Sequence, residues 1–202
     1  MLDTACHPRW VLDVIGQGRG VPGFGNLAGY FSAADRAKGR GAAFIASRLD
    51  FGIDWDDLRF IRERWQGKLV VKGILHARDA QRAVDLGADA VVLTNHGGRQ
   101  LDGTISPMEA LEAVRAACAE LEIFIDSGFR RGTDIVKALA LGANAVMVGR
   151  PLLYGAVAGK RAGIDRALEI LRSEVDRTLG QLGVRSITEL AARHLQSGEL
   201  SR

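Results

Sequence analysis

One segment of this sequence occurs twice. Residues 79–91 read DAQRAVDLGADAV and residues 134–146 read DIVKALALGANAV. In each copy an aspartate (Asp79, Asp134) opens an amphipathic stretch, where its charge suits the positive end of a helix dipole. In each, a glycine (Gly87, Gly142) follows the last helical position, where a left-handed conformation costs it least, and a β-branched run begins directly afterwards. A repeated helix–Gly–strand unit constrains the fold strongly, because strands joined through helices run parallel and need those helices to cover the sheet. The alternation continues around both copies. Apolar runs at Leu69–Gly73, Ala90–Thr94, Ile123–Asp126 and Ala145–Gly149 are separated by helical stretches at Asp79–Leu86, Pro107–Ala119 and Asp134–Leu141. The runs are apolar enough to predict strands buried on both faces. The repeat favours a closed β/α barrel, although an open doubly wound sheet reads similarly.

The rest of the chain sets limits. Its 202 residues, 47% of them hydrophobic, are enough for one globular domain with a core. A complete (β/α)8 barrel usually needs about 250 residues, and residues 1–68 do not read as barrel strands. His7–Ile15 predicts a helix, the glycine-rich Gly16–Gly52 a long loop, and Trp55–Trp65 a helix feeding the Leu69 strand. The single domain is thus divided into 1–68, then strands and helices over 69–155, then 156–202. The last part carries a long helix over Gly163–Leu179, a short helix or turn at Val184–Leu190 and a polar tail from His194. A formal net charge of +3 is too small to argue for nucleic acid. No apolar run reaches the roughly 18 residues of a membrane span, and the N-terminus lacks a secretory apolar region. Cys6 and Cys118 are too isolated for a metal or redox motif and read as free thiols of a cytoplasmic protein.

Barrel chemistry sits at the C-terminal ends of strands, and those ends are rich here. Lys72 closes the first strand, Thr94–Asp102 follows the second, Asp126–Gly132 the third and Gly149-Arg150-Pro151 the fourth. Gly128 and Gly149 let backbone N–H groups approach an anion, the following helix N-termini add positive potential, and Arg130 and Arg150 add bidentate charge. Lys72 suits a site where negative charge develops on a ring. His96 is a proton acceptor suited to neutral pH, and Arg99 can fork a carboxylate. Phosphate, ring anion, base and carboxylate clamp together suggest a flavin acting on a small acid.

The stretch TNHGGRQLD over Thr94–Asp102 resembles the signature of the FMN-dependent α-hydroxy-acid oxidase and dehydrogenase family. Support runs from His7-Pro8-Arg9-Trp10 through LVVKG (Leu69–Gly73), ISPMEAL (Ile105–Leu111), DSGFRRGTDIVKALALGA (Asp126–Ala143) and VGRPLLYG (Val148–Gly155). The ISPMEAL stretch and Trp55–Trp65 resemble the mandelate dehydrogenase branch. The resemblance implies the last four β/α units of a (β/α)8 TIM barrel, FMN as cofactor, and oxidation of an (S)-2-hydroxy acid, lactate- or mandelate-like, to the 2-oxo acid. It implies His96 as the base, Arg99 on the substrate carboxylate, and Lys72 beside flavin N1 and the C2 carbonyl. Thr94 stands at a flavin-contacting serine. Asp126, Ser127, Gly128, Phe129 and Arg130 form the ribityl and phosphate loop, with Gly149 and Arg150 as a second phosphate loop. It further implies a homo-oligomer, and peripheral contact with the inner face of the membrane through the 17–52 loop. The family's first four units have no counterpart here, so a chain that is inactive alone is expected, as a fragment or a half that needs a partner. A non-catalytic half-barrel that self-associates, and another FMN- or phosphate-binding barrel enzyme, remain as alternatives. Of the remaining candidates, His7, His76 and His194 read as surface or capping residues. Arg131 reads as solvent-facing, and Trp10, Trp55 and Trp65 as packed against the sheet.

Overall fold

The computed structural model describes residues 6, 8, 11–12, 29–30, 45–50 and 52–195. The chain divides into two compact units, Met1–Asp54 and Trp55–Arg202. In the first, Pro8, Val11 and Leu12 are helical, and a short turn forms where Ile45 O accepts from Arg48 N at 2.9 Å. His7, Trp10 and most of the 17–52 loop lie outside the described residues.

The second unit runs α1 (Trp55–Arg64), β1 (Val70–Ile74), α2 (Ala77–Asp85), β2 (Ala90–Leu93), a 3-10 turn (His96–Gly98), α3 (Pro107–Ala117), β3 (Glu122–Ile125), α4 (Gly132–Ala140), β4 (Ala145–Val146) and α5 (Arg150–Leu182). Two further 3-10 turns, Ile187–Glu189 and Ala192–His194, follow. Local chemistry sets these boundaries. His76 caps α2, its Nδ1 accepting from Arg78 N at 3.1 Å, and His194 Nδ1 accepts from Ala191 N. Ser106 and Glu109 form a reciprocal capping box ahead of Pro107, a residue whose missing N–H costs nothing in a first helical turn. Gly87 (φ 82°) and Gly142 (φ 99°) take the left-handed conformation that the repeat predicts.

All neighbouring strands are parallel and their order is β1-β2-β3-β4. A doubly wound sheet reverses its order at a switch point; this one does not. Successive right-handed crossovers therefore carry α2, α3 and α4 onto one face, as in consecutive units of a barrel. On that face Val91, Leu93, Ile123 and Ile125 are fully buried against Ala83, Leu111, Val114 and Ala138. At the N-terminal ends of the strands Arg115 binds the chain together. Its guanidinium donates to the carbonyls of Ala119 (2.7 Å), Leu121 (2.8 Å) and Gly142 (2.8 Å) and to Asn144 Oδ1 (2.6 Å).

Several expectations need correction. Only β2 is buried along its whole length. Val70 and Met147, on the face away from the helices, are each 43% exposed, because one layer of helices covers only one side and β1 and β4 are sheet edges. Lys72 lies inside β1 rather than closing it, and the ladder shifts between Lys72 and Ile74, where Gly73 has φ 111°. Gly149-Arg150-Pro151 is not a free turn: Arg150 and Pro151 begin α5. That helix starts well before the expected Gly163 and breaks at Gly159 and Lys160. There Gly155 and Gly163 meet so closely that a Cβ on either would strike the other's backbone. Trp55 packs on the core as expected, with the Arg82 guanidinium 4.9 Å from its ring centroid. Trp65 does not: it is 55% exposed, its indole N–H donating to Lys68 O at 2.9 Å.

Candidate active site

Strand register explains which side chains meet. Lys72 stands opposite Val92, and Val92 opposite Phe124. Residues two positions further along share a face, so Thr94 and Asp126 rise on the same side as Lys72 and just beyond it. The Lys72 ammonium lies 3.0 Å from Asp126 Oδ2 and 3.5 Å from Thr94 Oγ1. Thr94 is 1% exposed, a buried hydroxyl that needs partners. It has them in Ser127 Oγ at 3.0 Å and in the backbone N–H of His96, which donates to it at 3.0 Å. Ser127 Oγ in turn accepts from Gly97 N at 2.9 Å. Asp126 Oδ1 accepts from the N–H of Ser127. Lys72, Thr94, Asp126, Ser127 and the backbone of the NHGG stretch are thus one connected polar cluster.

The backbone there is unusual. His96 (φ 57°), Gly97 (71°) and Gly98 (74°) are all left-handed, and so is Ser127 at 85°. Asn95 closes the turn, its Oδ1 accepting from Gly98 N at 3.2 Å. The His96 and Arg99 side chains face solvent, and neither makes a hydrogen bond among the described residues. Gly97 also admits a neighbour: a Cβ there would stand 3.1 Å from Arg150 Nη2. The first residue of α5 therefore reaches across to the histidine turn.

The two helix N-termini expected to attract an anion differ. At α4 the N–H groups of Arg130 and Arg131 donate to Asp134 Oδ2 at 3.1 and 3.0 Å, and Gly132 N donates to Glu174 Oε2 at 2.7 Å. Carboxylates already occupy that end. At α5 no side chain caps Gly149 and the first turn carries no acid. Apart from the adjoining residues, no atom of the described residues lies within 4 Å of where a Cβ would stand at Gly128 or at Gly149, so both backbones are open to a ligand. Arg130 is exposed beside Gly128, whereas Phe129 is 4% exposed and belongs to the core. A cleft of about 330 Å³ next to this loop is lined by Met108, Ser127, Gly128, Phe129, Asp134 and Lys137.

One residue and one contact escape a reading of the sequence alone. Glu174, in the middle of α5, holds both Gly132 and the Arg131 guanidinium, the latter at 2.8 Å. The backbone N–H of Gly132 is the main reason its carboxyl stays below the usual range, with Arg131 adding to it. Arg131 is thereby paired rather than simply solvated. Arg150 is visible as a cation, but its approach to Gly97 is not. Gly132 carried a local signal in its place before a helical run, without naming its partner. Among the described residues no cluster of His, Cys, Asp or Glu could hold a metal, and no helix is long and apolar enough to cross a membrane.

Comparison with known proteins places the chain in a family. Residues 1–197 match the family described as FMN-dependent dehydrogenase. The (S)-mandelate dehydrogenase of Pseudomonas putida is 47% identical over 197 residues, 98% of this chain and 49% of that protein. The L-lactate dehydrogenase of Xanthomonas euvesicatoria pv. vesicatoria (strain 85-10) is 42% identical over 193 residues, 95% of this chain and 49% of its own length. A crystal structure of the monotopic membrane protein (S)-mandelate dehydrogenase superposes with a TM-score of 0.88 at 47% identity, covering 98% of this chain and 51% of the other. The chain thus spans about half the length of the relatives it matches. With the family signature on one polar cluster at the strand ends and the match running through residue 197, this chain is a member of the FMN-dependent dehydrogenase family.

Proposed function

We propose that this chain supplies the FMN- and substrate-binding half of an enzyme that oxidises an (S)-2-hydroxy acid, lactate- or mandelate-like, to the 2-oxo acid. One observation carries the reading. Lys72, Thr94, Asp126 and Ser127 form a connected cluster that also holds the turn bearing His96, the residue cast as the base.

The residues present fit FMN. Open glycine backbone at Gly128 and Gly149, the uncapped N-terminus of α5, and the cations Arg130 and Arg150 suit a phosphate. Asp126, Ser127 and Thr94 offer oxygens to a polyol and ring edge, and Lys72 offers positive charge among them. When bound, FMN supplies the two-electron acceptor that the oxidation requires. The imidazole of His96 accepts the proton of the substrate's α-hydroxyl, and the guanidinium of Arg99 holds its carboxylate three residues along the same turn. Phe129 contributes backbone only, because its ring is in the core.

The half-open sheet bears on turnover. With Val70 and Met147 exposed and β1 and β4 each paired on one side only among the described residues, the pocket needs a second wall from outside these four units. The same free edges support a second reading, a non-catalytic half-barrel that joins another chain. Titrating the protein with FMN and then adding (S)-mandelate or L-lactate anaerobically separates the two. Tight binding with bleaching of the flavin, lost in His96→Asn and Arg99→Met, supports catalysis. A flavin-free dimer of defined size refutes it. Peripheral membrane contact through the 17–52 loop is tested by sedimentation with anionic vesicles, and protein left in the supernatant rejects it.

A further inference from the structure

The geometry points to Thr94 and Ser127 as a two-hydroxyl latch that holds the left-handed histidine turn, with Ser127 a positioning residue for His96. The inference rests on the reading of His96 as the base.

Donor counting shows how the latch is ordered. The N–H groups of His96 and Gly97 and the ammonium of Lys72 can only donate. Thr94 Oγ1 accepts from His96 N at 3.0 Å and lies 3.5 Å from the Lys72 ammonium. That leaves the Thr94 proton available for the 3.0 Å contact with Ser127 Oγ, and this is the order the inference assigns to the pair. Ser127 Oγ then accepts twice, from Thr94 and from Gly97 N at 2.9 Å. The bonds from Lys72 to Thr94 and from Thr94 to Ser127 run in one direction and polarise one another, and they meet the Gly97 N–H at Ser127 Oγ.

The turn needs such a fastening. A non-glycine residue in the left-handed region is strained and persists only where its surroundings over-determine it. His96 at φ 57° and Ser127 at φ 85° are two such residues on adjacent strand ends, tied to each other through these hydroxyls. The His96 side chain itself has no partner among the described residues. Its aim is therefore set by the backbone that carries it, and that backbone is fixed by Thr94 at His96 and by Ser127 at Gly97. Ser127 has a second role beyond any contact with cofactor: it couples the loop after β3 to the base after β2.

The test uses the FMN-loaded protein and compares it with Ser127→Gly, Thr94→Val and Thr94→Ser. Glycine is at ease at φ 85°, so Ser127→Gly removes the hydroxyl and the backbone strain together, and its unfolding midpoint should not fall. Amide hydrogen exchange, read by NMR, should speed up roughly tenfold at Gly97 in Ser127→Gly and at His96 in Thr94→Val. Thr94→Ser, which keeps the hydroxyl, should retain the parental exchange rate. With (S)-mandelate, a dye as acceptor and FMN at saturation, Ser127→Gly should lower kcat about ten- to a hundredfold. Unchanged exchange in both disrupting variants overturns the latch, and so does faster exchange with parental kcat. A parent that does not turn over, with faster exchange in the variants, upholds the latch and overturns turnover by this half without its second wall.

Discussion

Replacing Glu174 by alanine tests how the loop after β3 is held. The carboxylate accepts from Gly132 N at 2.7 Å in a part-buried setting and from Arg131 Nη2 at 2.8 Å, where the arginine side chain is 69% exposed. The two contacts should not weigh alike. A hydrogen bond from a helix N-terminal N–H to a charged acceptor is worth about 1.5–3 kcal/mol, while an exposed ion pair contributes about 0–1 kcal/mol. Glu174→Ala should therefore cost about 2–3 kcal/mol and Arg131→Ala less than about 1 kcal/mol. For a chain of this size the former corresponds to a fall of roughly 4–12 °C in Tm. Urea unfolding followed by circular dichroism at pH 7 measures both. The pH dependence adds a check. The Glu174 carboxyl is held below its usual range in the folded protein. Its contribution is thus complete above the unfolded value, about 4.3, and disappears as pH falls through the folded value. The gap between parent and Glu174→Ala should be full at pH 7 and shrink below about pH 4. If Arg131→Ala costs as much as Glu174→Ala, or the gap widens in acid, the reasoning is refuted.

Other perturbations follow from the same geometry. Arg115→Ala strips a guanidinium from the carbonyls of Ala119, Leu121 and Gly142 and should cost about 2–4 kcal/mol in thermal or urea unfolding, without changing FMN affinity in a protein that keeps its fold. Gly97→Ala places a Cβ 3.1 Å from Arg150 Nη2 at φ 71°. It should weaken FMN binding in a fluorescence titration at least severalfold, at a stability cost of about 1–2 kcal/mol. Gly132→Ala brings a Cβ within 2.5 Å of the Val175 backbone N, so α5 must move off α4 and the unfolding midpoint should fall further than for any surface Gly→Ala change, Gly103→Ala serving as control.

Much of this was legible in the residues. The repeated helix–Gly–strand unit gives α2–β2 and α4–β4, and the glycines that end the helices adopt the left-handed conformation expected of them. Short-range chemistry accounts for this success: caps, breakers and apolar period act within a few residues. The polar strand ends were legible as well, since in a parallel β/α array every strand delivers its C-terminal residues to one edge. Less legible was the exposure along β1 and β4. An apolar run looks the same whether or not a second layer covers its outer side. The break in α5 was also hidden, because a helix on each side of Gly159 and one bent helix share the same periodicity.

By itself the sequence determined the class of fold, the four strand–helix units and the residue types gathered at their ends, because periodicity and turn chemistry are local. Only the tertiary structure decided how those residues are joined. The parallel register brings Lys72 to Asp126 and Thr94, the left-handed turn and its two hydroxyls set His96, and Glu174 takes the helix end that an anion was expected to use. These pairings link residues far apart in the chain, and hydrogen-bond partners at such separations are chosen by packing, which no local pattern encodes.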